Sequence, residues 1–87
     1  MLALQHPLRR RVLKLVIERG EINPAEASRQ LEDQLSNVSY HMKQLAEMGL
    51  VNLNGTDQAR GAVVHFYTPN PEVAELRWVR EAIGLGD

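Results

Sequence analysis

Cysteine is absent from the 87 residues of this sequence. Its absence excludes disulfide bonds, thiolate metal ligands and a cysteine nucleophile. It also fits a reducing compartment, and we expect the protein to be cytoplasmic. Long apolar runs are missing too, since none exceeds four residues, whereas a membrane-spanning helix needs about 20 apolar residues. We therefore expect no membrane partner.

An excess of positive charge is also lacking, because the formal net charge is −1. This value weighs against a nucleic-acid partner, but the charges are unevenly distributed. Residues 1–20 contain five cations and one anion, whereas residues 21–35 contain one cation and four anions. DNA binding depends on the local potential at the docking face rather than on the total. With few cations in the middle of the chain, we expect modest affinity per monomer and a need for dimerisation.

Motifs of catalysis are missing as well. The sequence has no glycine-rich phosphate loop, no cluster with metal-ligand spacing and no nucleophile–base pair. Ser39 and His41 are two residues apart on a predicted helix and therefore point in different directions. No spacing of His6, His41 and His65 supports a metal site, and His41 fits better as a core residue at a helix margin. We predict a protein that is not an enzyme and needs no cofactor or metal.

Three helices are predicted in the first part of the chain. They span about residues 7–19, 24–31 and 36–48. Pro7 opens the first, which has apolar residues at helical spacing. Asn23 and Pro24 form a cap and first-turn proline for the second. Ser36 is the candidate N-cap of the third, and Gly49 ends it.

Alternating apolar and polar residues follow the third helix. They predict a two-stranded hairpin, or wing, over about residues 51–68, with a polar loop at 55–61 bracketed by glycines. Another cap and proline pair, Asn70 and Pro71, opens a last helix over about residues 71–83. The order helix, helix, short turn, helix, hairpin, helix predicts a winged helix-turn-helix. This is a mainly α fold with a small β-hairpin, in a single domain that takes up the whole chain.

The outward face of the third helix carries the residues that we assign to DNA. At about 100° per residue, Val38, Met42 and Leu45 define the core side of this helix. Polar groups lie opposite or on the flank, on Ser36, Asn37, Ser39, Tyr40, Lys43 and Gln44. Such groups donate to phosphates and to purine acceptors when the helix enters the major groove. A merely solvated helix face is the simpler explanation, but the short-turn helix pair and the hairpin favour DNA.

Arg60, near the tip of the wing, is the second candidate contact. A guanidinium there suits a narrow minor groove or a phosphate. A mobile, solvated loop explains Arg60 equally well, because the acidic Asp57 is close in sequence. The first helix also carries a basic stripe of Arg10, Arg11 and Lys14. Solubility or pairing with carboxylates explains this stripe, and a phosphate contact from Arg9 or Arg10 is the alternative.

Two segments resemble the ArsR-like winged-helix regulators. Residues 35–51, LSNVSYHMKQLAEMGLV, resemble the recognition-helix signature of that family, a Val-Ser-x-His-Leu core followed by a leucine and a Gly-Leu-Val exit into the wing. Residues 6–13, HPLRRRVL, resemble the family's usual Asp-Pro-x-Arg opening. The likeness covers about residues 5–68. It implies a winged helix-turn-helix that binds a near-palindromic operator as a homodimer, usually as a repressor.

In that family the first and last helices form the dimer interface. The resemblance therefore implies an interface formed by Leu2, Leu4, Val73, Leu76, Trp78, Val79 and Ile83. The last helix also carries more apolar surface than so small a core should need, which independently indicates a partner. The alternative is that this helix only covers the first helix. One departure from the family is the turn before the third helix, which lacks the usual glycine and holds Glu32 and Asp33. These carboxylates repel phosphate if they face DNA.

Two functions remain once enzymes are set aside. The first is a sequence-specific regulator that binds double-stranded DNA as a homodimer, which the third helix and the order of elements favour. The second is a winged-helix module that binds a protein and no DNA, which the net charge and the acidic segments allow. Salt separates the two, because DNA affinity falls steeply as salt rises and the protein module predicts little salt dependence.

Overall fold

The computed structural model describes residues 4–59 and 62–84, with side chains for residues 4–54 and 65–84. Within these residues the chain forms five helices and one two-stranded antiparallel sheet, and none of the helices is long and apolar enough to cross a bilayer. The elements, in chain order, are α1 (Pro7–Arg19), α2 (Pro24–Leu31), α3 (Leu35–Glu47), β1 (Val51–Ala59), β2 (Ala62–Pro69), α4 (Pro71–Ala74) and α5 (Arg77–Ile83). Three helices followed by a hairpin confirm the predicted mainly α, winged helix-turn-helix fold.

The centre of the core is the contact between α1 and α3. The fully buried side chains of these two helices are Val12, Leu13, Val16, Val38, Met42 and Leu45. They recur at helical spacing, so each helix supplies one continuous apolar face. Burial of one such side chain contributes about 1.5–3 kcal/mol. This contact therefore fixes where α3 lies and which of its faces is left to solvent.

Two Asn-Pro pairs begin helices. Asn23 Oδ1 accepts a hydrogen bond from the Glu26 backbone N–H at 2.8 Å, and Asn70 Oδ1 accepts one from Glu72 at 3.1 Å. In each pair the proline occupies a first-turn position where no N–H is needed. Asn70 also donates from Nδ2 to the Gly49 carbonyl at 2.8 Å. The start of α4 is thereby tied to the end of α3.

The start of α3 differs from the prediction. Ser36 is not its N-cap, because the helix begins at Leu35 and Gln34 occupies the cap position without a side-chain hydrogen bond. Instead, Asp33 Oδ1 accepts from the Gln34 backbone N–H at 2.7 Å and from Asn37 Nδ2 at 3.2 Å. A carboxylate is favourable at a helix N-terminus. Asp33, before the helix, thus provides the acceptor for the backbone N–H of Gln34 at the N-cap, and Ser36 is left exposed.

The end of α3 is a sharp, glycine-dependent turn. Gly49 has φ of +78°, a left-handed conformation that glycine adopts without steric cost. The Leu50 backbone N–H then donates to the Leu45 carbonyl at 2.9 Å, and Leu50 is buried against the last turn. This turn directs the chain from α3 into β1.

The wing lies where it was predicted, but its first strand is longer than predicted. β1 pairs with β2 from Val51 through Ala59, with an irregularity in register after Leu53. The polar segment 55–61, predicted to be a loop, is therefore strand as far as Ala59. The prediction was wrong because it required apolar alternation, whereas backbone pairing across a hairpin does not.

The wing is attached to the body of the protein by a backbone bridge. Ile22, between α1 and α2, exchanges both hydrogen bonds with Tyr67 of β2, at 3.0 and 2.9 Å. Both side chains are buried in the core. Burial raises the pKa of Tyr67 above its usual value, so the phenol stays neutral. The position of β2 relative to the helices is thus set by the core.

The predicted single helix over about 71–83 is two helices, α4 and α5. Leu76, between them, has extended backbone with ψ of 131° and occupies the N-cap position of α5. The break allows Val79 and Ile83 to pack in the core, while Leu76 remains 42% exposed. α4 is tied to α3 through Asn70, and α5 packs on α1. These separate attachments account for a break that no glycine or proline marks.

A polar contact joins α1 to α3 at the edge of the core. His41 on α3 is 6% exposed, and its Nδ1 accepts a hydrogen bond from Arg9 Nε at 3.1 Å. The His6 ring lies beside it, with 4.4 Å between the ring centroids. Burial first, and then the proximity of His6 and Arg9, lowers the pKa of His41, while Asp33 works against this shift. The contact therefore uses the neutral imidazole.

The cap assignment predicts unequal effects of two alanine variants. Asn23→Ala should lower the free energy of unfolding by about 1 kcal/mol, because the Glu26 N–H loses its acceptor. Ser36→Ala is the matched control and should change it by less than about 0.5 kcal/mol, because Ser36 does not cap α3. Urea denaturation followed by circular dichroism measures both. Equal losses in the two variants would contradict this assignment.

The lowered pKa of His41 predicts that stability falls in mild acid. The ordinary pKa of a histidine is 6.5 and the pKa of folded His41 is lower, so between the two values the unfolded chain binds more protons. Stability from this contact is complete above pH 6.5 and is lost as the pH falls toward the folded pKa. Asp33 does not titrate there, because its pKa is held below 3.8. Thermal unfolding across a pH series measures the effect.

His41→Asn is the control for this pH dependence. Its amide keeps an acceptor near the position of Nδ1 but does not titrate. The variant should therefore show a flatter dependence of Tm on pH than the wild type. If Tm decreased by the same amount in both proteins between neutral and mildly acidic pH, His41 would not be the group responsible.

Candidate nucleic-acid interface

The solvent side of α3 carries the six residues that the sequence analysis assigned to DNA from this helix. The exposed residues are Ser36, Asn37, Tyr40 and Lys43, and the partly buried ones are Ser39 and Gln44. The opposite side is fully buried against α1. Two hydroxyls, two amides, a phenol and an amine are therefore presented on one rigidly held helix.

Tyr40 and Lys43 are the most prominent groups of this face. Tyr40 is 55% exposed, and its ring lies edge-on to the buried His41 ring at 5.2 Å between centroids. This aromatic contact restrains the phenol while leaving its outer part in solvent. Lys43 follows at i+3, and among the described residues it has no hydrogen-bond or ion-pair partner. Both side chains can donate to an incoming acceptor.

Two amides of the same face are already engaged within the protein. Asn37 donates to Asp33, and Gln44 Nε2 donates to Glu47 Oε2 at 3.4 Å. The hydrogen bond from Asn37, followed by the one from the Gln34 backbone, holds the pKa of Asp33 below its usual value. Asp33 is therefore charged at neutral pH. An amide that contacts a base must first leave its present partner.

The turn between α2 and α3 holds its shape without glycine. Glu32 takes the left-handed conformation, with φ of 53°, which costs a residue with a side chain about 1–2 kcal/mol. Ser28 closes the turn, since its carbonyl accepts from the Asp33 N–H at 3.2 Å and its hydroxyl donates to the Asp33 carbonyl. Glu32 is exposed. If this side of the turn faces DNA, the Glu32 carboxylate near the start of α3 repels phosphate.

Two basic residues of α1, Arg10 and Arg11, donate hydrogen bonds within the protein. Arg10 Nη1 donates to the carbonyls of Leu4 and Gln5 at 2.8 and 3.0 Å. Arg11 Nη2 donates to the Leu31 carbonyl at 2.9 Å, at the end of α2. The partners expected from the sequence were solvent, carboxylates and phosphate. A charge pattern could not reveal these acceptors, because they are backbone groups brought close by the fold.

A groove lies between α3 and the wing. Its volume is about 260 Å³, and we call it the wing groove, lined by Lys43, Ala46, Glu47, Leu53, His65 and Tyr67. His65 is exposed on β2 and lines the groove together with Lys43 of α3. From its sequence position, His65 was a candidate only for metal binding. Strand alternation alone did not show that β2 would bring His65 beside α3.

The residues expected at a dimer interface fall into two groups. Leu76 and Trp78 are each 42% exposed. The others that the structure describes are buried or partly buried in the monomer, namely Leu4, Val73, Val79 and Ile83. Three of these four belong to the core, so they stabilise the monomer itself. Leu2 and the wing residue Arg60 lie outside the described residues.

The histidines form no metal centre in the described part of the chain, where no three His, Cys, Asp or Glu side chains are grouped to hold an ion. His6 and His41 are in ring contact, whereas His65 is on the wing. What the surface offers is therefore a helix face with hydrogen-bond donors and, beside it, a groove shared with the wing.

Comparison with known proteins agrees with this arrangement. A family model described as a helix-turn-helix domain matches residues 4–54, which is more than half of the chain. The matched segment includes α1, α2 and all of α3, and it ends in β1. No curated protein sequence matches the chain. The match supports a DNA-binding regulator in general terms, a class that is typically non-enzymatic, and the chain belongs to the helix-turn-helix domain family.

Proposed function

We propose that the protein is a sequence-specific transcriptional regulator that binds double-stranded DNA as a homodimer in the cytoplasm. Helix α3 lies in the major groove, and the wing contacts the adjacent minor groove or backbone. The observation that carries this proposal is the solvent face of α3. It presents donor groups on a helix whose other face is locked in the core.

The placement of α3 suits base contact. The N-terminal residues of a recognition helix approach base edges, and here Ser36, Ser39 and Tyr40 lie in that half. Hydroxyl and phenol groups both donate and accept, so they suit several base edges. Lys43 adds an ammonium for phosphate or guanine. The buried contact of α3 with α1 keeps these groups in fixed relative positions.

Charge supports the dimeric form of this proposal. With a net charge of −1 and only Lys43 as a cation on α3, one monomer gains little from phosphate neutralisation. Two copies on a symmetric site double the number of contacts and raise affinity through effective concentration. A homodimer therefore compensates for a weak single domain.

The C-terminal helices offer the surface for such a dimer. Leu76 and Trp78, which are separated by Arg77, each expose a large apolar side chain at the start of α5. Large exposed apolar side chains favour contact with a partner. α5 packs on α1, and neither Leu76 nor Trp78 belongs to the solvent face of α3. A dimer through α5 leaves both recognition helices free for DNA.

The repressor role rests on the resemblance of residues 35–51 to ArsR-like regulators. A dimer that occupies an operator near a promoter excludes other proteins from the same site. The alternative is a protein-binding module, which the half-exposed Leu35 and Leu53 beside the α3 face also suit. Binding to DNA, tested directly, separates the two functions.

We expect selection from random duplex DNA to return a two-fold-symmetric motif. Its half-sites should lie about 10 bp apart, centre to centre, and binding should weaken steeply as salt rises. Sequencing of the retained DNA at several salt concentrations is the measurement. A chain that retains no DNA at any salt concentration, yet binds a protein partner, would be the interaction module instead.

The selected operator then tests the α3 face. Lys43→Ala should lower the slope of log affinity against log salt by about 0.9, because one phosphate contact is lost. Tyr40→Ala should lower affinity about tenfold with little change in slope, as expected for a base contact. Glu75→Ala, at an exposed position after α4, is the control and should bind normally. Undiminished binding by the Tyr40/Lys43 double variant would show that this face is wrongly assigned.

A negative charge introduced at the start of α5 tests the dimer. Leu76→Asp and Trp78→Asp should shift the protein from dimer to monomer in sedimentation equilibrium and weaken operator binding. Both side chains are 42% exposed, so the monomer should remain folded. Leu35→Asp is the control, at an apolar residue of α3 that is 50% exposed, and should leave the mass unchanged. A wild-type chain that binds its operator as a monomer would overturn the dimer.

A further inference from the structure

The wing groove is continuous with the face of α3. Lys43 belongs to both, because it is exposed on α3 and lines the groove. The other side is formed by the wing, with Leu53 from β1 and with His65 and Tyr67 from β2. Any ligand of α3 that extends toward the wing therefore passes over this groove.

The shape of duplex DNA indicates which part of the DNA would pass over the groove. The major and minor grooves of a duplex are separated by one sugar–phosphate strand. A protein that places a helix in the major groove and a wing at the adjacent minor groove must straddle that strand. In this protein the space between helix and wing is the wing groove. The geometry therefore directs one DNA backbone strand across it.

The chemistry of the groove suits a backbone strand. Lys43 and His65 are exposed, and within the described residues neither has a hydrogen-bond or ion-pair partner. An ammonium and an imidazole N–H both donate to phosphate oxygens. Ala46, Leu53 and Tyr67 add apolar surface to the same groove, and Leu53 is 52% exposed. Apolar surface of this kind packs against deoxyribose.

One group in the groove opposes an anion. Glu47 is a full turn beyond Lys43 on α3, and its carboxylate accepts a hydrogen bond from Gln44 at 3.4 Å. The carboxylate thus lies toward the C-terminal end of the helix. Glu47 therefore limits where along the groove the phosphate can sit.

We infer that the wing groove holds one backbone strand of the operator, with a phosphate bound between Lys43 and His65. This inference rests on the proposed function, since it assumes that α3 and the wing face the duplex. It assigns a DNA contact to His65, which lies on β2 and is therefore not found by comparing the faces of α3. Because the contact is to the backbone, it adds affinity on every sequence and carries no base specificity.

A double-mutant cycle on duplex DNA tests the shared phosphate. Lys43→Ala and His65→Ala should each weaken binding about three- to tenfold. Together they should cost less than the product of the separate losses, because both remove contacts to one phosphate. His65→Arg should bind more tightly than the wild type and raise the salt slope by about 0.9. Asn52→Ala, exposed on the same wing but outside the groove, is the control.

A scan with neutral methylphosphonates locates the contact on the DNA. One substituted phosphate per half-site should weaken the wild type, and the same substitution should have little effect on the Lys43/His65 double variant. Circular dichroism confirms folding of every variant, and His65→Gln replaces His65→Ala if alanine destabilises the wing. If the wild type binds DNA and His65 variants bind equally, with equal salt slopes, the groove contact is wrong and the proposed function stands. If the wild type binds no duplex, both fail.

Discussion

The packing of α1 against α3 is the contact on which the rest of the structure depends. Its buried residues leave one face of α3 in solvent, and the Arg9–His41 hydrogen bond adds a directional link at the edge of this contact. The Tyr40 ring contacts the ring of the same histidine, so the orientation of this candidate DNA contact depends on the core. A shift of α1 relative to α3 would therefore displace the whole reading face.

The wing is positioned by the same core. Ile22 and Tyr67 are buried, and their paired backbone hydrogen bonds attach β2 beside the helices. Gly49 turns the chain from α3 into β1, and Asn70 ties the end of the wing back to that turn. The wing groove thus lies between α3, which packs on α1, and β2, which is hydrogen-bonded to Ile22. A ligand that spans them meets two surfaces whose spacing is set by packing.

Local signals were sufficient for the fold class, and long-range contacts account for what the sequence could not show. Asn23 caps the helix that begins directly after it, so its role could be predicted from neighbouring residues. The turn at Gly49 that ends α3 could be predicted in the same way, because it depends on that glycine alone. The break at Leu76 depends on where α4 and α5 attach, which no neighbouring residue reveals. The partner of Lys43 across the wing groove, His65, is likewise brought close only by the attachment of β2.

The central claim is that the solvent face of α3 and the wing groove receive duplex DNA. Titration of the labelled protein with its selected operator, followed by amide chemical shifts in NMR spectra, tests this most directly. The account predicts the largest changes at Ser36, Ser39, Tyr40 and Lys43, with a second set at His65. Changes confined to α4 and α5, or no changes at saturating DNA, would contradict it.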